Sequence, residues 1–327
     1  MTAAPSIASP ACPLCAGGDV RVFLDGDCEA LDASMLGSGR KVIAPGRILR
    51  CRNCGFGFRQ SRFTDGELSE LYRAMDPQVY QAELPGRRRT AKRHLAIVQR
   101  YVSVGAILDV GCASGLFLTL AAEARFDSTG IEPSDALRSQ AQAALGGKCR
   151  ILGGTLEKSP LQPASFDAVT LWDVLEHIPD PLAMLGKCRD LLKPGGYLFL
   201  NVPDLDSLQA RILGRRWPLL LAEHLNYFNR PSLELCGRKA GLKLVRFGRR
   251  RAFFSLDYLF YRLSQHSIPG TALGRRIVRS VAARLVIPVS LGETYAVWQR
   301  DNNVNHLCRN RDSRGFQSIR DSSTSSM

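Results

Sequence analysis

Between residues 101 and 250, short apolar runs alternate with longer stretches in which apolar residues recur at helical spacing. Residues 107–110 read as a buried strand, 116–123 as a helix, 128–132 as a second strand and 136–145 as a second helix. Residues 165–173 form the fourth strand of the series. A helix over 182–192, a Pro-Gly-Gly turn, a fifth strand reaching Pro203 and a helix over 232–240 follow. Strands in turn with helices predict an α/β fold: a doubly wound, mostly parallel sheet covered on both faces. Residues 242–247 and 294–298 are placed to close it as an antiparallel hairpin, with 253–291 inserted between them and mostly helical. Ligands of such sheets lie beyond the carboxyl ends of the strands, where Gly111, Glu132 and Asp173 fall.

The turn Gly111-Cys112-Ala113-Ser114-Gly115 joins the first strand to the first helix. Its glycines remove side chains that would hold a ligand off the backbone, and the helix start offers free N–H groups. The spacing is not the G-x-G-x-x-G of a dinucleotide cradle, so a nicotinamide or flavin dinucleotide is not expected. Glu132 ends the second strand. Its two acceptor oxygens suit a pair of ribose hydroxyls, and it is equally placed to stabilise the next helix N-terminus.

Four stretches, at 108–115, 128–134, 165–181 and 191–203, resemble in order and spacing the motifs of class I S-adenosylmethionine-dependent methyltransferases. The resemblance covers about residues 100–250 and implies a Rossmann-like fold with S-adenosylmethionine as methyl donor. By that resemblance Asp109, Gly111 and Gly115 surround the methionine end and Glu132 takes the ribose. Thr155 and Leu156 wall the adenine, and Trp172 and Asp173 lie near the methionine portion. Methyl transfer from a sulfonium needs alignment above all, and a general base when the acceptor is a hydroxyl or carbon acid. His177 is one candidate base. The stretch Glu223-His224-Leu225-Asn226-Tyr227-Phe228 supplies another, His224, with Glu223 orienting it or Tyr227 assisting. Transfer by proximity alone, with no base, is the alternative.

Cys12-Pro-Leu-Cys15 and Cys51-Arg-Asn-Cys54 are two C-x-x-C pairs flanked by strand-like runs at 20–24 and 42–49. Four thiolates in two such pairs suit structural zinc in a ribbon-like module with a long hairpin insertion, and they leave no open position for catalysis. Disulfides are disfavoured: no secretory pattern opens the chain, and six further cysteines are scattered through it. Methyltransferases resembling this arrangement include enzymes acting on sugars and related small molecules.

The expected organisation is a zinc-ribbon-like module over 1–65, a helical linker over 66–100, the methyltransferase domain over 101–252, a helical insertion with closing strand over 253–300 and a disordered tail over 301–327. The formal net charge is +14. Residues 101–200 carry 8 basic and 11 acidic side chains, whereas 40–100 carry 14 and 5, and 230–300 carry 14 and 3. The cofactor domain is slightly acidic between basic flanks. Arg87-Arg88-Arg89, Arg249-Arg250-Arg251 and Arg275-Arg276 are the densest clusters. They suit a solvated surface, a phosphate-bearing acceptor or RNA. Residues 273–291, with arginines among aliphatics, also suit the surface of an anionic membrane. No apolar run is long enough for a span, and a cytoplasmic location is expected. The expected acceptor is a small molecule such as a sugar, nucleotide-sugar or lipid-linked glycan; RNA is the alternative. Strand four ends in Trp172-Asp173-Val174-Leu175-Glu176-His177 rather than in an Asn/Asp-Pro-Pro-aromatic stretch that holds a flipped base. That ending resembles the small-molecule branch.

Overall fold

A computed structural model describes residues 10–26, 46–60, 66–67, 70, 83–265, 270–282 and 285–302. The expected tail beyond residue 302, most of the linker before residue 83 and the first part of the run at 42–49 lie outside the described residues. Among the described residues the first strands are β1 (Val20–Leu24), β2 (Ile48–Cys51) and β3 (Gly57–Arg59). Helix α1 (Leu84–Val98) leads into β4 (Ala106–Val110), α2 (Leu116–Glu123), β5 (Asp127–Glu132), α3 (Asp135–Leu145) and β6 (Arg150–Gly153). Then come β7 (Phe166–Trp172), α4 (Pro181–Leu191), β8 (Leu192–Pro203), α5 (Leu208–Leu213), β9 (Asn226–Tyr227) and α6 (Arg230–Lys239). The remaining elements are β10 (Leu242–Arg249), β11 (Ala252–Ser255), α7 (Leu256–Gln265), α8 (Thr271–Val281), β12 (Val286–Val289) and β13 (Glu293–Arg300).

Helix boundaries follow capping chemistry. Ser134 accepts the Leu137 N–H at the start of α3, and Gly146 ends it in the left-handed region. Asp180 accepts the Leu182 and Ala183 N–H groups ahead of Pro181 in α4. Asn229 and Ser232 form a reciprocal capping box on α6.

The central sheet has seven strands in the order β10-β13-β8-β7-β4-β5-β6. Strands β4 to β8 run parallel, and β13 enters antiparallel between β8 and β10. The doubly wound sheet and the closing hairpin are therefore as expected. Ile107, Ala168, Phe199 and Val297 pack on one face, while Leu108, Val169, Leu198, Leu200 and Trp298 pack on the other. Neighbouring residues thus feed opposite cores, as the two-residue strand period requires. One expectation needs correction. The Pro-Gly-Gly segment is not a turn before the fifth strand but a bulge within the twelve-residue β8, where pairing with β7 jumps from Phe166–Leu192 to Ala168–Tyr197. The insertion carries α7 and α8, and β11 and β12 pair around them as an antiparallel ribbon.

The amino-terminal strands are not self-contained. Their sheet runs β1-β2-β3-β9, all antiparallel, so its fourth strand comes from beyond β8. Phe56 lies edge-on to Phe228 with centroids 5.2 Å apart, and the Lys239 ammonium donates to the Leu14 carbonyl at 2.7 Å. Cys12, Leu14, Phe56 and Phe58 share one continuous core with Val202, Phe228 and Leu233. No helix among the described residues is long and apolar enough to cross a membrane.

Candidate active site

A cavity of about 450 Å³ opens at the carboxyl ends of β4, β5, β6 and β7. Its first wall is the loop after β4. Gly111 has φ of +73°, Ala113 φ of +47°, and the Gly111 and Cys112 N–H groups donate to the Ile131 carbonyl. One oxygen of Glu132 accepts the Ala113 N–H at 2.8 Å and the other the Ser134 N–H at 2.9 Å. The carboxylate thus braces two loops, and each oxygen keeps a lone pair for a ligand hydroxyl. Burial raises the Glu132 pKa against those two backbone bonds. Thr155 and Leu156 line the same cavity.

Gly115 does not. A Cβ there would meet Ala141 and Leu145 of α3 at 3.0 and 3.1 Å, so this glycine serves helix packing, and its φ of +78° starts α2. The expected contact between Gly115 and the methionine end is therefore corrected.

Asp109 is buried and accepts the Thr170 hydroxyl at 2.6 Å. Burial pushes its pKa up to about 7, so a cation bound nearby would restore its charge. Asp173 has φ of +57° and is gripped by both terminal guanidinium nitrogens of Arg250 at 3.0 Å and by the Asn201 amide. Burial alone would raise it, but Arg250 and Asn201 outweigh that and hold it at about 2. Arg250 also pairs with Glu293, which burial raises to about 7. The Arg250 Nε–H donates to His94 Nε2 at 3.3 Å, and the His94 ring stacks on Trp172 with centroids 3.9 Å apart. His94 must be neutral to accept that bond, and its burial keeps its pKa well below the usual value.

On the opposite wall a short 3-10 turn, Leu175–His177, faces the segment 219–224. His177 Nδ1 lies 3.1 Å from the Glu223 carbonyl and His224 Nδ1 2.9 Å from the Leu219 carbonyl. A carbonyl only accepts, so both rings carry Nδ1–H and hold their lone pair on Nε2. Burial lowers His177 to about 4 and His224 well below its usual value, so both are neutral bases at pH 7. Their rings meet edge to face at 4.7 Å. Glu176, 2 % exposed, is raised well above the carboxylate range by burial and then by Asp173. A Glu176 oxygen and one nitrogen of each of these histidines lie within 4.8 Å of one another, close enough to share one divalent cation.

Two expected roles find no geometry. Tyr227 does not line the cavity; its hydroxyl donates to the Leu221 carbonyl at 3.4 Å, and burial raises its pKa. Nor does Glu223 fix the His224 tautomer, which the Leu219 carbonyl sets. Conversely, the sequence alone does not mark Arg250, His94 and Glu293 as site residues. Arg250 sits in a triple-arginine run that reads as surface charge. Its neighbours Arg249 and Arg251 are indeed exposed, while Arg250 turns inward between two acids.

The four cysteines come together. Cys12 and Cys54 sulfurs lie 3.7 Å apart, Cys15 and Cys51 3.5 Å, and all four sit within 4.8 Å of one another. A tetrahedral zinc with bonds of about 2.3 Å would separate its sulfurs by roughly 3.8 Å, whereas a disulfide needs about 2.05 Å.

Residues 80–246, just over half of the chain, match the family model described as a methyltransferase domain. The chain belongs to the methyltransferase family. A ubiquinone biosynthesis O-methyltransferase of Methylococcus capsulatus is 30 % identical over 196 residues, covering 55 % of this chain and 75 % of that protein. One from Xanthomonas campestris is 39 % identical over 99 residues, 29 % of this chain and 41 % of that protein, so the chain spans less than half of this second relative. Among solved structures, a Thermotoga maritima methyltransferase is 20 % identical, covers 65 % of this chain and 91 % of its own, and has a TM-score of 0.43. This methyltransferase uses S-adenosylmethionine as donor, and the cavity fits it. Glu132 has lone pairs to spare, burial of Asp109 favours a cationic group beside it, and the buried indole N–H of Trp172 has no acceptor among the described residues.

Proposed function

We propose that the enzyme methylates a hydroxyl of a small aromatic acceptor of quinol or catechol type, with His224 as general base. The observation that carries this is the neutral His224, its Nδ1–H held by the Leu219 carbonyl and its basic Nε2 at a cavity walled by Phe253, Phe254 and Tyr258. The names of the relatives support oxygen as the acceptor atom. Apolar aromatic walls favour a flat ring over a sugar.

Bound S-adenosylmethionine supplies an activated methyl group on a sulfonium. Glu132 would hold its ribose, Leu156 and Thr155 flank the adenine, and Asp109 with Gly111 receive the cationic amino-acid end. Asp173, fixed by Arg250 and Asn201, adds negative potential near the sulfonium without titrating at neutral pH. His224 Nε2 takes the acceptor proton as the oxygen attacks in line, and His177 packs against that ring and keeps it in place. The four cysteines would hold a structural zinc that takes no part in the reaction. Metal analysis is expected to find one zinc per chain, lost in the double variant Cys51→Ser, Cys54→Ser; zinc-free parent protein would end that reading.

Helix α8 gives the expected membrane contact a concrete face. Leu273 and Ile277 are 65 % and 58 % exposed beside the exposed Arg276 and Arg279, the pattern of an interfacial helix. Binding to anionic vesicles should fall when Leu273 and Ile277 are both changed to Glu.

The deciding experiment offers purified enzyme isotope-labelled S-adenosylmethionine with catechols and hydroxylated benzoquinols, nucleotide-sugars, lipid-linked glycans and bulk RNA. Label in the phenolic ring substituents, lost in His224→Ala, is expected. Label only in sugars or only in RNA overturns the acceptor class.

A further inference from the structure

The segment 222–228 is held from two sides, and one side is the cysteine module. Toward the catalytic sheet, the Leu225 N–H donates to the Glu176 carbonyl at 2.8 Å, the Asn226 amide to the Ile178 carbonyl at 2.6 Å, and His177 Nδ1–H to the Glu223 carbonyl. Toward the cysteines, β9 pairs with β3 in the register Gly57–Tyr227 and Phe58–Asn226. Arg59 ends β3. Its N–H donates to the Leu225 carbonyl at 2.9 Å and its guanidinium to the Ala222 carbonyl at 2.7 Å. It is 0 % exposed.

A buried guanidinium is an expensive way to finish a strand. Its desolvation costs several kcal/mol unless hydrogen bonds are made, and an aliphatic side chain would end the same ladder at no such cost. What an aliphatic cannot do is grip the Ala222 carbonyl, two residues before His224. We infer that Arg59 is a positioning residue for the acceptor base, and that the cysteine module is thereby a structural part of the acceptor site rather than an appended binding domain. This rests on the reading of His224 as the base.

The chain of contacts is short: Cys51 and Cys54 bracket the knuckle, Phe56 packs on Phe228, Arg59 fixes residues 222 and 225, and His224 lies between them. Asp206 tightens the same joint by accepting from both Arg50 and Asn229 at 2.7 and 2.8 Å. A displacement of about 1 Å in a reacting group is enough to lose roughly a hundredfold in rate.

The test uses the full chain with Arg59→Met, which keeps bulk and removes the donors, and Arg59→Lys, which keeps charge and one donor. Three quantities are measured: calorimetric affinity for S-adenosylmethionine, kcat and KM with the phenolic acceptor, and the imidazole resonances of isotope-labelled histidines. Arg59→Met should leave donor affinity within about twofold and lower kcat roughly ten- to a hundredfold. It should shift the His224 and His177 signals while His94 stays in place, and Arg59→Lys should recover part of each change. Unmoved His224 signals, or donor affinity and His94 changing in parallel with His224, would overturn the proposal. If Arg59→Met does not fold, the same comparison is read from Arg59→Lys. If His224 shifts but no phenol is methylated by the parent enzyme, Arg59 stands as its positioning residue and the acceptor assignment is what fails.

Discussion

The two walls of the cavity are built on opposite plans. The donor wall comes from consecutive turns after β4, β5 and β6, and its contacts are mostly backbone: Ala113 and Ser134 on Glu132, Gly111 on Ile131. The acceptor wall is assembled from residues scattered along the chain: the 3-10 turn brings His177, the segment 219–224 brings His224, and Arg59 braces that segment from behind. The first plan is read from a short stretch of sequence and tolerates variation nearby. The second depends on tertiary packing, so single substitutions there should reach further.

The sharpest break in that contrast is His224→Ala. Loss of a positioned general base should lower kcat by about 10²- to 10⁴-fold, with donor affinity by calorimetry unchanged. A parallel loss of donor affinity would mean that the two walls are not separable. Next comes Arg250→Met, which strips the half-exposed Asp173 and the buried Glu293 of their shared cation. Breaking such a pair costs roughly 3–5 kcal/mol, read as a lower denaturant midpoint. An unchanged midpoint would show that water already solvates the pair. Glu132→Ala should act on the donor wall alone and weaken S-adenosylmethionine binding roughly ten- to a hundredfold, the equivalent of one to two charge-assisted hydrogen bonds, with kcat at saturation little altered.

The smallest effect separates the walls by pH. Asp109, raised to about 7, meets a cationic ligand best when ionised, so donor affinity should rise about tenfold between pH 6 and 8. Glu293 is also raised to about 7, and Glu293→Gln should leave the trend in place. His177 is lowered to about 4 and His224 well below its ordinary 6.5, so kcat at saturating donor should show no histidine titration as pH falls from 8 through 6.5. The signs for stability are opposite. Asp109 is neutral in the fold below pH 7 and costs stability as pH climbs from 3.8 toward 7. His177 contributes stability above its ordinary 6.5, and that contribution is lost as pH falls toward 4.

The same contrast explains what could be read without a structure. Glu132 follows from its place at a strand end, and Thr155 and Leu156 from the resemblance to the family, which is legible because the first wall is local. The G-x-x-x-G spacing could not say which glycine faces the cavity: Gly111 does, whereas Gly115 faces Ala141. Arg250 was hidden because three arginines in a row carry no label for which one turns inward. Glu176 and His177 stood in plain view, yet their high and low pKa values arise from burial that no spacing reports. The two C-x-x-C pairs pointed to a four-cysteine cluster, and their sulfurs do gather. Their sheet's fourth strand was unreadable, since a two-residue strand leaves no periodicity.

That borrowed strand sets a timetable for synthesis. A chain emerging from the ribosome completes both cysteine knuckles long before Tyr227 exists to pair with Gly57. At five to twenty residues per second, the outer edge of β3 waits roughly ten to thirty seconds for its neighbour. Throughout that wait it is an unpaired edge with Phe56 and Phe58 uncovered, open to other chains. The nascent protein is therefore most vulnerable to aggregation early in its translation, and a fragment cut anywhere before β9 would keep that vulnerability permanently.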